Sequence, residues 1–239
     1  MGQFDNKVVM ITGASGGVAS GIITKFAHEG AKLVLVDRDK DAMQRRIDDL
    51  GDTVNDYLIT GGDLGKTEDM DAVIAATVEK FGQIDVLAHA VGGFAAGKPV
   101  HETDISVFEK QIYLNTRIVF ITLGRVAKHM VDNKVEGSII AILARTGLNG
   151  AKNTAAYAAS KAAAHRIVQS MALELKDKNI RVNGIMPSTV DTAANRDSMP
   201  DADFSKWVTP EQIADTIAFL ASDAASAITG DAIAVYNKA

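Results

Sequence analysis

The chain has 239 residues, 47% hydrophobic and 23% charged, ordinary values for one globular domain that can bury a large core. A net charge of -5 argues against a nucleic-acid or anionic-membrane partner, and the absence of cysteine excludes disulfides, thiolate metal sites and cysteine nucleophiles. No apolar run reaches spanning length and the first residues lack a signal peptide's apolar core, so we expect a soluble, cytoplasmic protein.

Residues 7–12, KVVMIT, read as a strand buried on both faces. Gly13-Ala14-Ser15-Gly16-Gly17-Val18-Ala19 follows, then a helical stretch that Gly30 stops. Residues 31–36, AKLVLV, form a second buried strand closed by Asp37. This is a βαβ unit with glycines at its first turn, where backbone can approach closely and a helix N-terminus offers N–H donors. Such a turn suits a pyrophosphate. Asp37 either accepts hydrogen bonds from adenosine ribose hydroxyls or caps the helix in DRDKDAMQRRIDDL. In the first case its charge disfavours a 2'-phosphate and predicts NAD over NADP, with Arg38 pulling the other way.

The alternation continues with a strand at 57–60 ended by Gly62-Asp63-Leu64, a helix at 66–81, a strand at 84–90 and a turn at Val91-Gly92-Gly93. A long helix at 106–131 carries Asn115. A strand at 137–143 and a loop at 145–153 lead to a helix at 154–176. Then come a strand at 181–186, an irregular stretch at 187–209, a helix at 210–222 and a last strand at 232–236. The order predicts a single α/β domain over 1–239, a doubly wound parallel sheet of Rossmann type with helices on both faces. Ligands bind outside the carboxyl ends of such strands, so residues 188–209 are expected to lie over the site as a lid.

In the 154–176 helix Tyr157 and Lys161 lie four apart, on one face and one turn from each other. A neighbouring ammonium favours a phenolate, so Lys161 is expected to lower the Tyr157 pKa and tune it as a general acid/base. The spacing occurs by chance in many helices, and its weight rests on the surrounding chain.

With these segments in place the chain resembles the short-chain dehydrogenase/reductase family over almost its full length. The glycine motif is Thr12-Gly13-Ala14-Ser15-Gly16-Gly17-Val18-Ala19, with Ala19 at the last glycine position. Asp63-Leu64 matches the turn that holds adenine, and His89-Ala90-Val91-Gly92 poorly matches the family's N-N-A-G turn. Asn115, Tyr157-x-x-x-Lys161, Pro187-Ser188-Thr189-Val190-Asp191-Thr192 and Ile228-Thr229-Gly230 complete the set. The resemblance implies NAD as cofactor and a small-molecule substrate. It implies that Tyr157 exchanges the substrate proton, that Lys161 binds nicotinamide ribose, and that Asn115 holds a relay water. It also implies that Gly13, Ser15, Gly16, Gly17, Val18, Asp37, Arg38, Asp63, Leu64, Ala90, Gly92 and Pro187 line the cofactor. Val190 and Thr192 would hold the carboxamide.

One departure is chemical. The family places a serine thirteen residues before the tyrosine, and here that position is Ala144. Loss of such a donor to a developing oxyanion costs about 2.7–4 kcal/mol of transition-state stabilisation. Residues 190–210 are similar to the lid of quinonoid dihydropteridine reductases, which also lack the serine and reduce a conjugated pterin. The 171–185 and 217–230 stretches instead look like family members acting on ketones or alcohols.

Around the expected substrate site, Arg145 either replaces the missing hydroxyl, pairs with a substrate carboxylate, or points into solvent. Trp207 and Phe204 either stack on a flat substrate or anchor the core. The five histidines share no ligand spacing, so we expect no metal. Alanines at 155, 156, 158, 159 and 162–164 surround the Tyr157 helix and would let a second helix approach closely. We therefore expect a homo-oligomer, which the family resemblance implies is a tetramer or dimer.

Overall fold

The computed structural model describes residues 2–54 and 56–238. Seven strands form one sheet: β1 Val8–Thr12, β2 Lys32–Val36, β3 Tyr57–Thr60, β4 Val86–His89, β5 Ser138–Ile142, β6 Arg181–Pro187 and β7 Ala232–Val235. All six pairings are parallel, in the order β3-β2-β1-β4-β5-β6-β7. The order reverses between β1 and β4, which opens a crevice at their carboxyl ends.

Among the described residues eight α-helices cover the sheet: α1 Gly17–His28, α2 Lys40–Leu50, α3 Thr67–Phe81, α4 Ile105–Ile112, α5 Ile118–Asp132, α6 Ala155–Leu175, α7 Ala193–Ser198 and α8 Pro210–Ala221. Alternation along β1 divides the core. Val9 and Ile11 pack with Ile22 and Phe26 of α1 and Ile213 and Ile217 of α8. Val8 and Met10 pack with Met70 of α3, Leu123 of α5 and Val168 of α6. Because both faces are covered, β1 is buried throughout, which is why it reads as a continuous apolar run.

Three expectations change. The expected helix over 106–131 is two helices joined by a π-helical turn, Tyr113–Arg117, with Asn115 at its centre. Asp39, not Asp37, caps α2 by accepting from the Ala42 N–H. The 187–209 stretch is not wholly irregular: it carries α7, capped by Thr192, and a turn of 3-10 helix at Phe204–Lys206.

Candidate active site

The crevice is floored by the turn after β1. Gly13 has φ +73, and a Cβ there would lie 2.9 Å from the Ala90–Val91 backbone, so only glycine lets the two turns meet. Gly16 stands at the N-cap of α1 without a side-chain cap, leaving the first N–H groups of a 12-residue helix uncovered by protein side chains. Asp37 pins the turn from one side, its carboxylate accepting from the Ser15 N–H at 3.1 Å and the Ser15 hydroxyl at 2.7 Å. It also accepts from the Arg38 N–H at 2.6 Å. Arg46 pins the turn from the other side, donating to the Ser15 and Gly16 carbonyls at 2.8 and 2.9 Å.

A cavity of about 370 Å³ extends from this turn between Asp37 and Gly92 and along Asp63, Leu64 and Tyr113. The Tyr113 hydroxyl donates to Asp63 at 2.6 Å and holds that carboxyl below its usual range. Glycines at the near wall, an uncapped helix N-terminus and a carboxylate at the end of β2 fit a dinucleotide. A larger cavity, about 560 Å³, opens at the other end of the sheet, where Asp85 and Arg181 lie beside the amino ends of β4 and β6. It is remote from this chemistry.

On the far side of β4, the π turn presents Asn115 fully buried. Its Oδ1 accepts from the Gly93 N–H at 3.0 Å, and its Nδ2 lies within 3.1 Å of the Gly93 carbonyl, Gln111 Oε1 and Ser160 Oγ. The side chain thus ties the turn after β4 to α4 and α6. A Cβ on Gly92 would lie 3.0 Å from Asn115 Oδ1 and 3.2 Å from Lys161 Nζ, so these two side chains converge on that glycine.

Tyr157 and Lys161 occupy successive turns of α6, as expected. Their electrostatics differ from expectation. Burial pushes the Tyr157 phenol up to about 12, with no compensating effect of Lys161. The reason is geometric: Lys161, itself buried, donates to the Ile142 carbonyl at 3.0 Å and not to the phenol. Desolvation brings Lys161 down to about 8. Beside it His89 is fully buried and neutral, pushed down to about 3 first by burial and then by the Lys161 charge. His89 Nδ1 shares a hydrogen bond with the Thr12 hydroxyl at 2.8 Å, while its Nε2 has no partner among the described residues.

Residues 188–209 fold back toward the glycine turn: Val190 bridges Val208, and a Cβ on Gly17 would lie 2.9 Å from the Thr192 methyl. Thr192 Oγ1 accepts from the Asn195 N–H, and the Val190 carbonyl accepts from the Asn195 amide. Trp207 is 7% exposed and lies against half-buried Phe204 with ring centroids 4.8 Å apart. Ala144 is buried at the end of β5, and the Arg145 guanidinium lies over the Tyr236 ring. Pro187 ends β6.

Four residues here were not singled out as site residues from sequence. Phe94, largely exposed, meets the Tyr157 ring edge to face at 4.9 Å. Ser160 and Tyr113 lie one and two residues before recognised positions, Lys161 and Asn115, and nearness to those motifs was their only signal. Arg46 lies 31 residues from the Ser15 carbonyl it holds, and nothing local marks it.

Residues 13–236 match the family model described as Enoyl-(Acyl carrier protein) reductase. The chain is 30% identical over 242 residues to 7alpha-hydroxysteroid dehydrogenase of Escherichia coli strain K12, covering 98% of this chain and 94% of that one. A solved 7alpha-hydroxysteroid dehydrogenase complexed with NADH and 7-oxo glycochenodeoxycholic acid is similar with TM-score 0.88 and 30% identity, covering 98% and 94% of the two chains. The 3-ketoacyl-(acyl-carrier-protein) reductase of Brucella melitensis complexed with NADH is similar with TM-score 0.83 and 31% identity, covering 97% of each.

Proposed function

The chain belongs to the short-chain dehydrogenase/reductase family, and on that premise we propose that it interconverts a small carbonyl compound and its alcohol with Tyr157 as general acid/base. It is an NAD(H)-dependent oxidoreductase. The observation that carries the proposal is a tyrosine one helical turn from a buried lysine whose ammonium converges with Asn115 on Gly92 in the turn after β4.

The bound cofactor supplies or accepts the hydride at the substrate carbon. In the reducing direction Tyr157 gives its hydroxyl proton to the substrate oxygen, and the Lys161 ammonium offsets the charge left on the phenolate. Lys161, with a pKa brought to about 8, can pass a replacement proton near neutrality, with Asn115 holding the relay water. The turn from Gly13 through Ser15, Gly16 and Gly17 to Val18 carries the pyrophosphate. Asp37, flanked by Arg38, takes the adenosine ribose, while Asp63 and Leu64 take the adenine. Ala90, Gly92, Pro187, Val190 and Thr192 border the nicotinamide half, and residues 188–209 act as the lid.

Ala144 favours a second reading. A conjugated imine-type substrate such as a quinonoid dihydropterin leaves no lone alkoxide to be held and so needs no serine-type donor. None of the relatives named above is a dihydropteridine reductase, and the carbonyl reading stands first. NADH loss over ketones and quinonoid dihydropterin side by side separates the two. Turnover of ketones is expected, and consumption of neither class contradicts both.

We further infer a homotetramer or homodimer in a cytoplasmic setting. Exposed Phe120 on α5, with Ala155 and Ala159 on α6, supports association through helices, and the cysteine-free composition fits a reducing compartment. A gel-filtration mass of one chain counts against association.

A further inference from the structure

Several cations around the crevice are engaged within the protein. Lys161 donates to Ile142, Arg46 to the glycine turn, Arg117 to the Gly65 carbonyl at 2.8 Å, and Arg196 pairs with Asp191. Two guanidiniums differ: among the described residues those of Arg38 and Arg145 make no hydrogen bond and no ion pair, and Arg38 lies beside Asp37 at the other end of the crevice. Arg145 is exposed, and it is held over the Tyr236 ring, 5.1 Å from the centroid. A cation–π contact restrains a guanidinium without consuming its N–H donors.

The platform beneath it is itself anchored. The Tyr236 carbonyl accepts from the Ser188 hydroxyl at 2.9 Å, and the Ser188 N–H donates to the Val235 carbonyl at 3.0 Å. These bonds hold the Tyr236 backbone at the carboxyl ends of β6 and β7. The turn that carries the cation, Arg145–Gly147, lies directly against α6. A Cβ on Gly147 would meet the Lys161 carbonyl carbon at 3.0 Å, one turn beyond Tyr157. Arg145 also follows Ala144, where the uncharged donor is missing.

We propose that Arg145 is the substrate's anion anchor, so that the substrate class is an oxo acid, or the matching hydroxy acid, whose carboxylate pairs with this guanidinium. Two carboxylate oxygens match the edge of a guanidinium as two parallel hydrogen bonds. Binding energy from the carboxylate orients the carbonyl at Tyr157 and offsets part of what Ala144 does not supply. This inference rests on the reductase reading above.

The test pairs each acid with its uncharged ester: acetoacetate and levulinate against methyl acetoacetate and methyl levulinate, with NADH, in wild type, Arg145→Gln and Arg145→Lys. Arg145→Gln should raise KM for the acids by about tenfold or more, while Arg145→Lys retains part of the affinity. The esters should change by less than about twofold in either variant, as is usual at an exposed position. Added salt should weaken the acids only. Equal effects on acid and ester, or a wild type that reduces esters but no acid, overturn the assignment. Ester reduction that Tyr157→Phe abolishes would leave the reductase reading intact in that case. If wild type turns over none of the four, titration of the NADH-loaded enzyme with levulinate reads the same contact. Binding weakened by Arg145→Gln supports the anchor, and absent or unchanged binding refutes it.

Discussion

Tyr157 and Lys161 share one face of α6, yet the lysine ammonium donates to the Ile142 carbonyl at 3.0 Å and makes no hydrogen bond to the phenol. The pair is assembled, but its charge is held against the end of β5. Burial therefore keeps the tyrosine protonated while weakening it as an acid, and the lysine, brought to about 8, is the group of the pair that titrates nearest neutrality.

A pH dependence follows from that division. In kcat/KM for NADH, which reports groups of the free enzyme, one ionisation near pH 8 should appear and belong to Lys161. The profile should fall as pH rises through that value, because the lysine loses its charge while Tyr157, pushed up to about 12, is still protonated. A flat profile through pH 8 would contradict the assignment.

Ala144→Ser restores a hydroxyl where negative charge builds on the substrate oxygen. For a carbonyl substrate kcat should rise by roughly tenfold, below the full worth of about 10²–10³ for an optimised oxyanion donor. A quinonoid pterin should gain little. Steady-state rates on both substrates read the difference.

Arg46 holds the Ser15 and Gly16 carbonyls, and its loss should loosen the turn on which the pyrophosphate sits. Arg46→Ala should raise KM for NADH by about tenfold, the scale of one or two charged hydrogen bonds, with kcat changed by less than about twofold. Arg46→Lys should fall between. An equal loss in kcat would assign Arg46 a broader structural role.

His89 makes folding sensitive to acid. Its folded pKa is depressed from 6.5 to about 3, so the unfolded chain binds the extra proton between those values. The contribution of the neutral imidazole is fully present above about pH 6.5 and is lost as pH falls toward 3. The melting temperature of wild type should therefore drop more steeply over that window than that of His89→Asn. Parallel curves would show that His89 is not responsible.

The strands and the crevice were legible because two-sided burial writes unbroken apolar runs, as in β1, and because the glycine turn must admit the Ala90–Val91 backbone. The break at Tyr113–Arg117 was not legible. YLNTR has ordinary helical composition, and only the contacts of Asn115 with Gly93 and Ser160 reveal the π turn. Trp207 could be read either way, since an aromatic in a lid looks the same in sequence whether it faces ligand or core; its contact with Phe204 was not legible at all. The Tyr157 pKa was misjudged because spacing gives proximity along a helix, whereas the direction of the lysine is set by a carbonyl on β5, 19 residues away.

The reading as a whole depends on one hydroxyl. Tyr157→Phe removes it and little else, so rapid mixing of the NADH-loaded variant with a carbonyl substrate, set beside NADH titration, is the most direct test. Hydride transfer should fall by about 10²–10⁴-fold with NADH affinity unchanged. Transfer at the wild-type rate would show that Tyr157 is not the proton donor.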